Sequence, residues 1–323
     1  MIILTGVSGF IGSCMLTKLN ELGLGRDTVV VDDFYMQYKD KNTDGKLVRE
    51  WVHRDIFLDW FEKTSQQIDL VIHLGARTDT TLMDKKIFDA LNVDFSKRIW
   101  SVCANRDIPI IYASSAATYG DGSLGFSDDE DLIPQLKPLN PYAESKQTFD
   151  EYVLNSEIKP SKWFGCKFFN VFGPNEYHKG RMASVVFHAY KQIANTGSMK
   201  LFKSHKKGIK DGEQKRDFIY ILDVLEILTF MMQSNDVASG IYNVGTGNAR
   251  TFLDLTHAVF SAKDLDPSID FIDTPEDIRD SYQYFTEANM EKLLHAGYKK
   301  PFTALEEGVQ EYVRQYLRKG RYY

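Results

Sequence analysis

The chain has 323 residues, 43% hydrophobic and 26% charged, with a formal net charge of −6. These are the proportions of a soluble globular protein built as one large domain or two sharing a cleft; no apolar run approaches the roughly 18 residues of a membrane span, and the negative balance argues against general nucleic-acid binding. Three widely spaced cysteines, Cys14, Cys103 and Cys166, exclude a disulfide framework, no Cys/His cluster has metal-ligand spacing, and the apolar start lacks a signal peptide's basic segment, which together imply a reducing cytoplasm.

The first predicted strand, 2–5, runs into glycines at 6, 9 and 12. An amphipathic helix over 11–23 follows, with Ile11, Met15, Leu16 and Leu19 at helical spacing. Strand, glycine-rich turn and helix make a phosphate cradle: backbone approaches the pyrophosphate, the helix N-terminus meets it with its positive dipole end, and Gly12 lets helix and strand pack closely. The second strand, 28–32, ends in Asp32-Asp33. Asp32 lies twenty residues beyond Gly12, the place for a carboxylate that reads an adenosine ribose.

A short helix near 55–65 follows, then a strand at 69–74, a helix over 84–105, a strand at 109–114, a helix over 141–156 and a strand at 164–170. This alternation predicts an α/β fold: a Rossmann-type, doubly wound parallel sheet with helices on both faces. Ligands then bind at the carboxyl ends of the strands. Gly6, Gly9 and Gly12, then Asp32, then His73 with Leu74-Gly75-Ala76-Arg77, and finally Ser114-Ser115 all fall there. His73 reads as a strand-end structural residue, and Tyr119 as a pocket-lining or core residue.

Tyr142 and Lys146 share a helix face at i and i+4, downstream of Ser115. Phenol and ammonium can point into one cleft, and a cation favours phenolate over phenol. A free tyrosine, with a pKa of about 10, needs roughly three units of that help to act near neutrality. Ser115 adds a hydroxyl to hold the substrate oxygen while its proton leaves. These are the parts of a hydride-transfer site.

In the second half, 218–222 reads as a strand, Asp223 as the cap of a helix running to about Met232, and 241–244 as another strand. Helices are predicted over 252–260 and 304–318. We expect a dinucleotide-binding domain of residues 1–171 plus roughly 218–246, and a smaller mixed α/β substrate lobe of roughly 172–217 plus 247–323. The basic cluster Lys203, His205, Lys206, Lys207 and Lys210 reads as a solvated loop.

Across nearly its whole length the sequence resembles the extended short-chain dehydrogenase/reductases, and among them the ADP-L-glycero-D-manno-heptose 6-epimerases of lipopolysaccharide core synthesis. The likeness is carried by Ala113-Ser114-Ser115-Ala116-Ala117-Thr118-Tyr119-Gly120, Phe169-Asn170-Val171-Phe172-Gly173-Pro174, His178-Lys179-Gly180, Met182-Ala183-Ser184-Val185, Lys215-Arg216-Asp217-Phe218-Ile219-Tyr220 and the stretch 279–285. It implies transient oxidation of a carbinol of an ADP-sugar by a tightly bound cofactor, followed by hydride return to the other face. Rotation about one exocyclic carbon–carbon bond exposes both faces. Tyr142 would serve one epimer and Lys179 the other, with Ser115 as hydrogen-bond partner and Lys146 on the nicotinamide ribose.

By the same resemblance Phe10, Ile11, Asp32, Asp33, Asn92 and Val171 are cofactor contacts, and Asn170, His188, Phe202, Arg216 and Tyr282 substrate contacts. The guanidinium fork of Arg216 also suits a diphosphate on its own chemistry. The resemblance further implies a homo-oligomer, a pentamer. Asp32 should favour NAD, yet family members with this aspartate use NADP, and Lys39 is a counterweight for a 2′-phosphate; NADP is expected, with NAD the alternative.

The chain departs from the family at Leu74, usually acidic, at Arg77 and Asp79, usually smaller, at Arg181, which stands beside Lys179 where it crowds the sugar or adds a phosphate contact, and in the longer stretch 203–214. Taken alone, Lys179 reads as a surface lysine. A UDP-hexose 4-epimerase would share Ser115, Tyr142 and Lys146 without needing Lys179. A non-catalytic cofactor sensor would need none of these three.

Overall fold

Seven strands form one all-parallel sheet: β1 (Ile2–Thr5), β2 (Thr28–Asp32), β3 (Glu50–His53), β4 (Leu70–His73), β5 (Ile110–Ser115), β6 (Trp163–Phe168) and, much later in the chain, a strand at Gly240–Val244. The computed structural model describes residues 1–279 and 282–323. Because both faces are covered, the inner strands carry apolar residues at consecutive positions. Ile3, Leu4, Val29, Val30, Val71, Ile72 and Ile110 are fully buried, each stabilising the fold by about 1.5–3 kcal/mol. From β1 the chain builds β2 and β3 on one side and β4, β5, β6 and the late strand on the other. The order reverses between β1 and β4, so a crevice opens there beyond the carboxyl ends.

The helices that cover this sheet are α1 (Phe10–Glu21), α2 (Arg54–Lys63), α3 (Lys85–Phe88), α4 (Phe95–Asn105) and α5 (Pro141–Asn155). The helix expected over 84–105 runs from 85 to 105, with a π turn at 89–94 between α3 and α4 across which the backbone stays helical. α5 starts sharply: the Asn140 side chain accepts from Ala143 N at 2.9 Å and Pro141 occupies the first turn, where its missing N–H costs nothing.

The strand expected at 164–170 is two strands. Phe169 N donates to Val244 O at 3.0 Å, ending β6, and β7 (Asn170–Phe172) swings into a second sheet. There it pairs in parallel with β9 (Lys215–Tyr220), which pairs antiparallel with β11 (Ala249–Thr251). Between β7 and β9 lie α6 (Val185–Thr196), capped by Ser184 and stopped by Gly197 at φ 76°, and β8 (Met199–Phe202). The late strand of the main sheet is β10, reached through α7 (Ile221–Gln233).

Asp223 does not cap α7. The helix begins at Ile221, and the Asp223 carboxylate accepts from Thr303 N and Oγ1, both at 2.8 Å, tying a later loop to its first turn. α7 lies beside α1, joined to it by a Lys18–Glu226 ion pair of 2.7 Å. Then come α8 (Phe252–Ala262), with a Thr251/Asp254 capping box, and β12 (Ile269–Ile272), parallel to β8. α9 (Glu276–Arg279), α10 (Glu291–His295) and α11 (Leu305–Glu311) follow; a π turn at 312–316 and a 3-10 turn at 317–319 continue α11, so the helix expected over 304–318 is present over 305–319 with an irregular second half. No helix among the described residues is long and apolar enough to cross a membrane.

Candidate active site

The glycine turn after β1 is shaped by close approach. Gly6 has φ 73°, and a Cβ on it would sit 2.6 Å from Gly75 N, so the loops after β1 and β4 touch backbone to backbone. A Cβ on Gly12 would overlap the Gly6 carbonyl, which brings α1 against the turn. Gly9 is the N-cap of α1 and offers no side chain, leaving the first-turn N–H groups to an anion in the crevice. Asp32, at the end of β2, accepts from Ser8 N at 2.8 Å, which fixes its carboxylate at the rim of this turn. These features fit a dinucleotide.

Around that rim, Phe10 is buried and Ile11 is half-buried at the start of α1. Asp33 pairs with Arg54 at 3.4 Å and His53 at 3.6 Å. The Lys39 ammonium lies 6.0 Å from the centre of the Tyr38 ring. Burial pushes the His178 imidazole down to about 4, and Lys39 and then Lys179 add to the effect, so both ammonium groups lie near His178.

Beyond β4, His73 is buried between Thr5 Oγ1 (2.7 Å) and Ser96 Oγ (2.9 Å), and burial pushes it down to about 3. It is a structural residue, as expected. Leu74, Gly75, Ala76 and Arg77 follow. Asn92 is buried in the π turn and stitches this loop to α5: it accepts from Arg77 N (2.8 Å) and donates to Arg77 O (2.9 Å) and Ser145 Oγ (2.9 Å), while Ser145 Oγ donates to Tyr142 O (2.6 Å). The side chain of Asn92 is therefore committed to the backbone around the crevice. Of the departing residues, Arg77 and Asp79 pair at 3.8 Å; hydrogen bonds from Thr81 Oγ1 and N hold the Asp79 carboxyl low, and Arg181 adds to them.

Ser115 ends β5, and Tyr142 and Lys146 lie on the first two turns of α5. Burial pushes the Tyr142 phenol up; a hydrogen bond with Ser115 opposes this and Asp150 adds to it. The lowering expected from Lys146 is not found: Ser115, not Lys146, is the group that opposes burial at Tyr142. Lys146 is itself buried, donates from Nζ to Ala113 O at 2.8 Å, and is pushed down to about 8 by burial, with Asp150 acting in the other direction. Asp150 and Lys167, which the spacing argument passed over, form a fully buried pair below them. The available signals were a lysine inside the apolar run 163–168 and an aspartate continuing the i, i+4 face.

Lys179 stands on the loop between β7 and α6. It is half-buried rather than solvated, its Nζ lies 5.5 Å from the centre of the Phe10 ring, and burial lowers it while Glu176 raises it. Glu176 was also missed. It is fully enclosed and accepts from Gly173 N (3.3 Å), Ser184 Oγ (2.7 Å) and Ser184 N, clamping both ends of the loop that carries Lys179.

The remaining expected contacts spread along the second sheet and its flanking helix. Asn170 is exposed and Val171 half-buried on β7, and His188 Nε2 lies 3.3 Å from Arg181 O. Phe202 packs edge-on to Tyr282 at 6.0 Å. Arg216 lies between Phe252 and Tyr282, 5.6 and 5.5 Å from the ring centres, and donates to the carbonyls of Lys215 and Gln283. Its fork is thus held rigid, with part of its donor set already used. His205, Lys206, Lys207 and Lys210 are exposed, as a solvated loop requires, whereas Lys203 is half-buried and pairs with Asp273 at 3.3 Å. Within the stretch 279–285, Asp280 and Ser281 lie outside the described residues.

The family model described as NAD dependent epimerase/dehydratase family matches residues 2–245. An ADP-L-glycero-D-manno-heptose-6-epimerase of Fusobacterium nucleatum is 46% identical over 329 residues, spanning 99% of this chain and 98% of that protein. Its counterpart in Nitratidesulfovibrio vulgaris (strain DP4) is 48% identical over 319 residues, spanning 98% of each. Among solved structures, Helicobacter pylori ADP-L-glycero-D-manno-heptose-6-epimerase matches with a TM-score of 0.81 at 28% identity, over 97% of this chain and 95% of that one.

Proposed function

The chain belongs to the NAD dependent epimerase/dehydratase family and, within it, to the ADP-L-glycero-D-manno-heptose-6-epimerases, and on that premise we propose a reading of its site. The protein is a nucleotide-sugar epimerase that interconverts ADP-D-glycero-D-manno-heptose and ADP-L-glycero-D-manno-heptose with a nicotinamide cofactor. The finer parts of the proposal are NADP rather than NAD, tightly held; a homopentamer; and cytoplasmic service to lipopolysaccharide core synthesis. Residues 1–171 with roughly 218–246 hold the cofactor, and roughly 172–217 with 247–323 form the substrate lobe.

When bound, the cofactor supplies the hydride acceptor and donor. The chain's own task is to hold the sugar and move protons. The turn Gly6–Gly12, the N-terminus of α1 and Asp32 would hold the dinucleotide, with Lys146 on the nicotinamide ribose. Tyr142 takes and returns the carbinol proton of one epimer and Lys179 that of the other, while Ser115 steadies the oxygen; each such group is worth about 10²–10⁴-fold in rate. Arg216, braced between two aromatic rings, faces the diphosphate. The observation that supports two proton carriers is the seat of Lys179: it is packed on Phe10 at the cofactor turn, where a purely solvating lysine has no reason to be.

The test is to incubate the purified protein with ADP-D-glycero-D-manno-heptose, without added cofactor, and follow the 6-epimer by proton NMR. A mixture of epimers is expected. No conversion, with bound cofactor verified by absorbance, would overturn the heptose reading and favour a UDP-hexose. Denaturing the same sample should release NADP; release of NAD would overturn that part alone.

A further inference from the structure

Tyr142, Lys146 and Asp150 recur at every fourth residue along one face of α5. Asp150 lies below the other two and is completely buried. Its Oδ2 accepts from Lys167 Nζ at 2.8 Å and from Ser114 Oγ at 2.6 Å, and its Oδ1 accepts from Tyr112 OH at 3.2 Å. Lys167 stands beside Ser114 in the β5–β6 register. It also donates to Thr118 Oγ1 at 2.7 Å and lies 5.3 Å from the centre of the Tyr119 ring. Thr118 Oγ1 in turn donates to Ser115 O at 2.8 Å. The pair therefore bonds directly to β5, the strand that receives the Lys146 ammonium at Ala113 O, and reaches the backbone of Ser115 through Thr118.

Taking two charges out of water costs several kcal/mol per ion, and replacing such a pair by apolar residues of similar volume is often neutral or stabilising. A stability role alone therefore gives weak reason to keep it. We propose that Asp150 and Lys167 are positioning residues for the epimerase site: Asp150 holds Lys146 in its ammonium form, and Lys167, bound to Asp150, limits how much of that negative charge reaches Tyr142. The inference rests on the roles of Tyr142 and Lys146 in the proposed function.

The other titratable groups around this face do not supply such control. His73, from β4, is kept neutral by burial, and burial holds Tyr112 and Tyr119 as phenols and Cys166, on β6, as a thiol. Lys85 and Lys86 on α3, Asp89 and Asp94 on the π turn, Lys97 and Arg98 on α4, Glu144 and Glu151 on α5, and Glu130 and Asp131 in the 3-10 turn at 130–135 all reach solvent, which screens them. Asp150 acts on both groups in the direction required, raising Lys146 and Tyr142 alike.

The test is a pH titration of Tyr142 in holoenzyme labelled with 13C at tyrosine Cζ, its signal being the one that Tyr142→Phe removes. Asp150→Asn should move that titration down and Lys167→Met should move it up, each on the order of one pH unit. Shifts of the same sign in both variants, or none in either, would overturn the proposal. Should either single variant fail to fold, the uncharged pair Asp150→Asn/Lys167→Met leaves no unpaired ion. It should titrate below wild type, and an unmoved titration overturns the proposal equally. Because no substrate is present, failure of the heptose reading shows separately, as absent turnover by wild type with the shifts intact. Normal turnover without the shifts removes the positioning role alone. The alkaline limb of turnover, set by Lys146, should fall in Asp150→Asn alongside the phenol titration.

Discussion

At the residue scale, the two proposed proton carriers differ in how the fold disposes of their charge. Burial keeps Tyr142 a phenol and presses Lys179 towards the neutral amine. Each is thus near the form that donates or accepts one proton without a large charge left unpaired. Tyr142→Phe should retain the cofactor yet lower epimerisation at least ~100-fold, the scale of general acid–base catalysis; a near-normal rate in the NMR assay would end that assignment. Lys179→Met should slow turnover by a similar factor while leaving Tyr142 able to oxidise one epimer, seen as cofactor reduction that stalls. Lys146 gives a pH signature. Its ammonium is pushed down to about 8, so it is present below that pH and lost above it, and kcat should decline as pH rises through about 8. A flat profile to pH 9.5 would contradict this.

Among the elements, those that meet the crevice were the most legible in the sequence. β1, β2, β4 and β5 are buried on both faces, so each reads as an unbroken apolar run, and the glycines and Asp32 stand at their ends. The elements missed lack that contrast. β3 buries only Val52, β12 is almost wholly exposed, and β11 has three residues; their pairings are set by partners far along the chain. α6 was lost because its cap, Ser184, sits inside the motif that carries Lys179. Asp150 and Lys167 were invisible for a related reason: a buried ion pair has meaning only once two elements meet. For the loop between β7 and α6, Glu176 is the clamp. Glu176→Ala should speed amide exchange at Gly173 and Ser184 without unfolding the main sheet, and it should reduce kcat through Lys179; hydrogen-exchange mass spectrometry with the epimerisation assay checks both.

For the whole molecule, acid lability has an identifiable source. His73 is held neutral down to about 3 and His178 down to about 4, whereas in an unfolded chain each takes a proton near 6.5. Between those values the unfolded state binds more protons, so stability falls as pH falls through 6.5, at about 1.4 kcal/mol per pH unit for each group. His73→Gln should flatten the dependence of the urea midpoint on pH between 6.5 and 4; an equally steep curve would place the source elsewhere.

The late arrival of β10 has a consequence for biosynthesis. The main sheet gains its outer strand beside β6 only when residues 240–244 have been made, some seventy residues after β6 itself. Until then a nascent chain presents β6, whose residues are all buried in the finished sheet, as an open edge that invites pairing with its neighbours on a polysome. Release truncated at residue 239 should therefore yield inclusion bodies or chaperone-bound material rather than a working cofactor domain, even though every cofactor residue named above has already been translated.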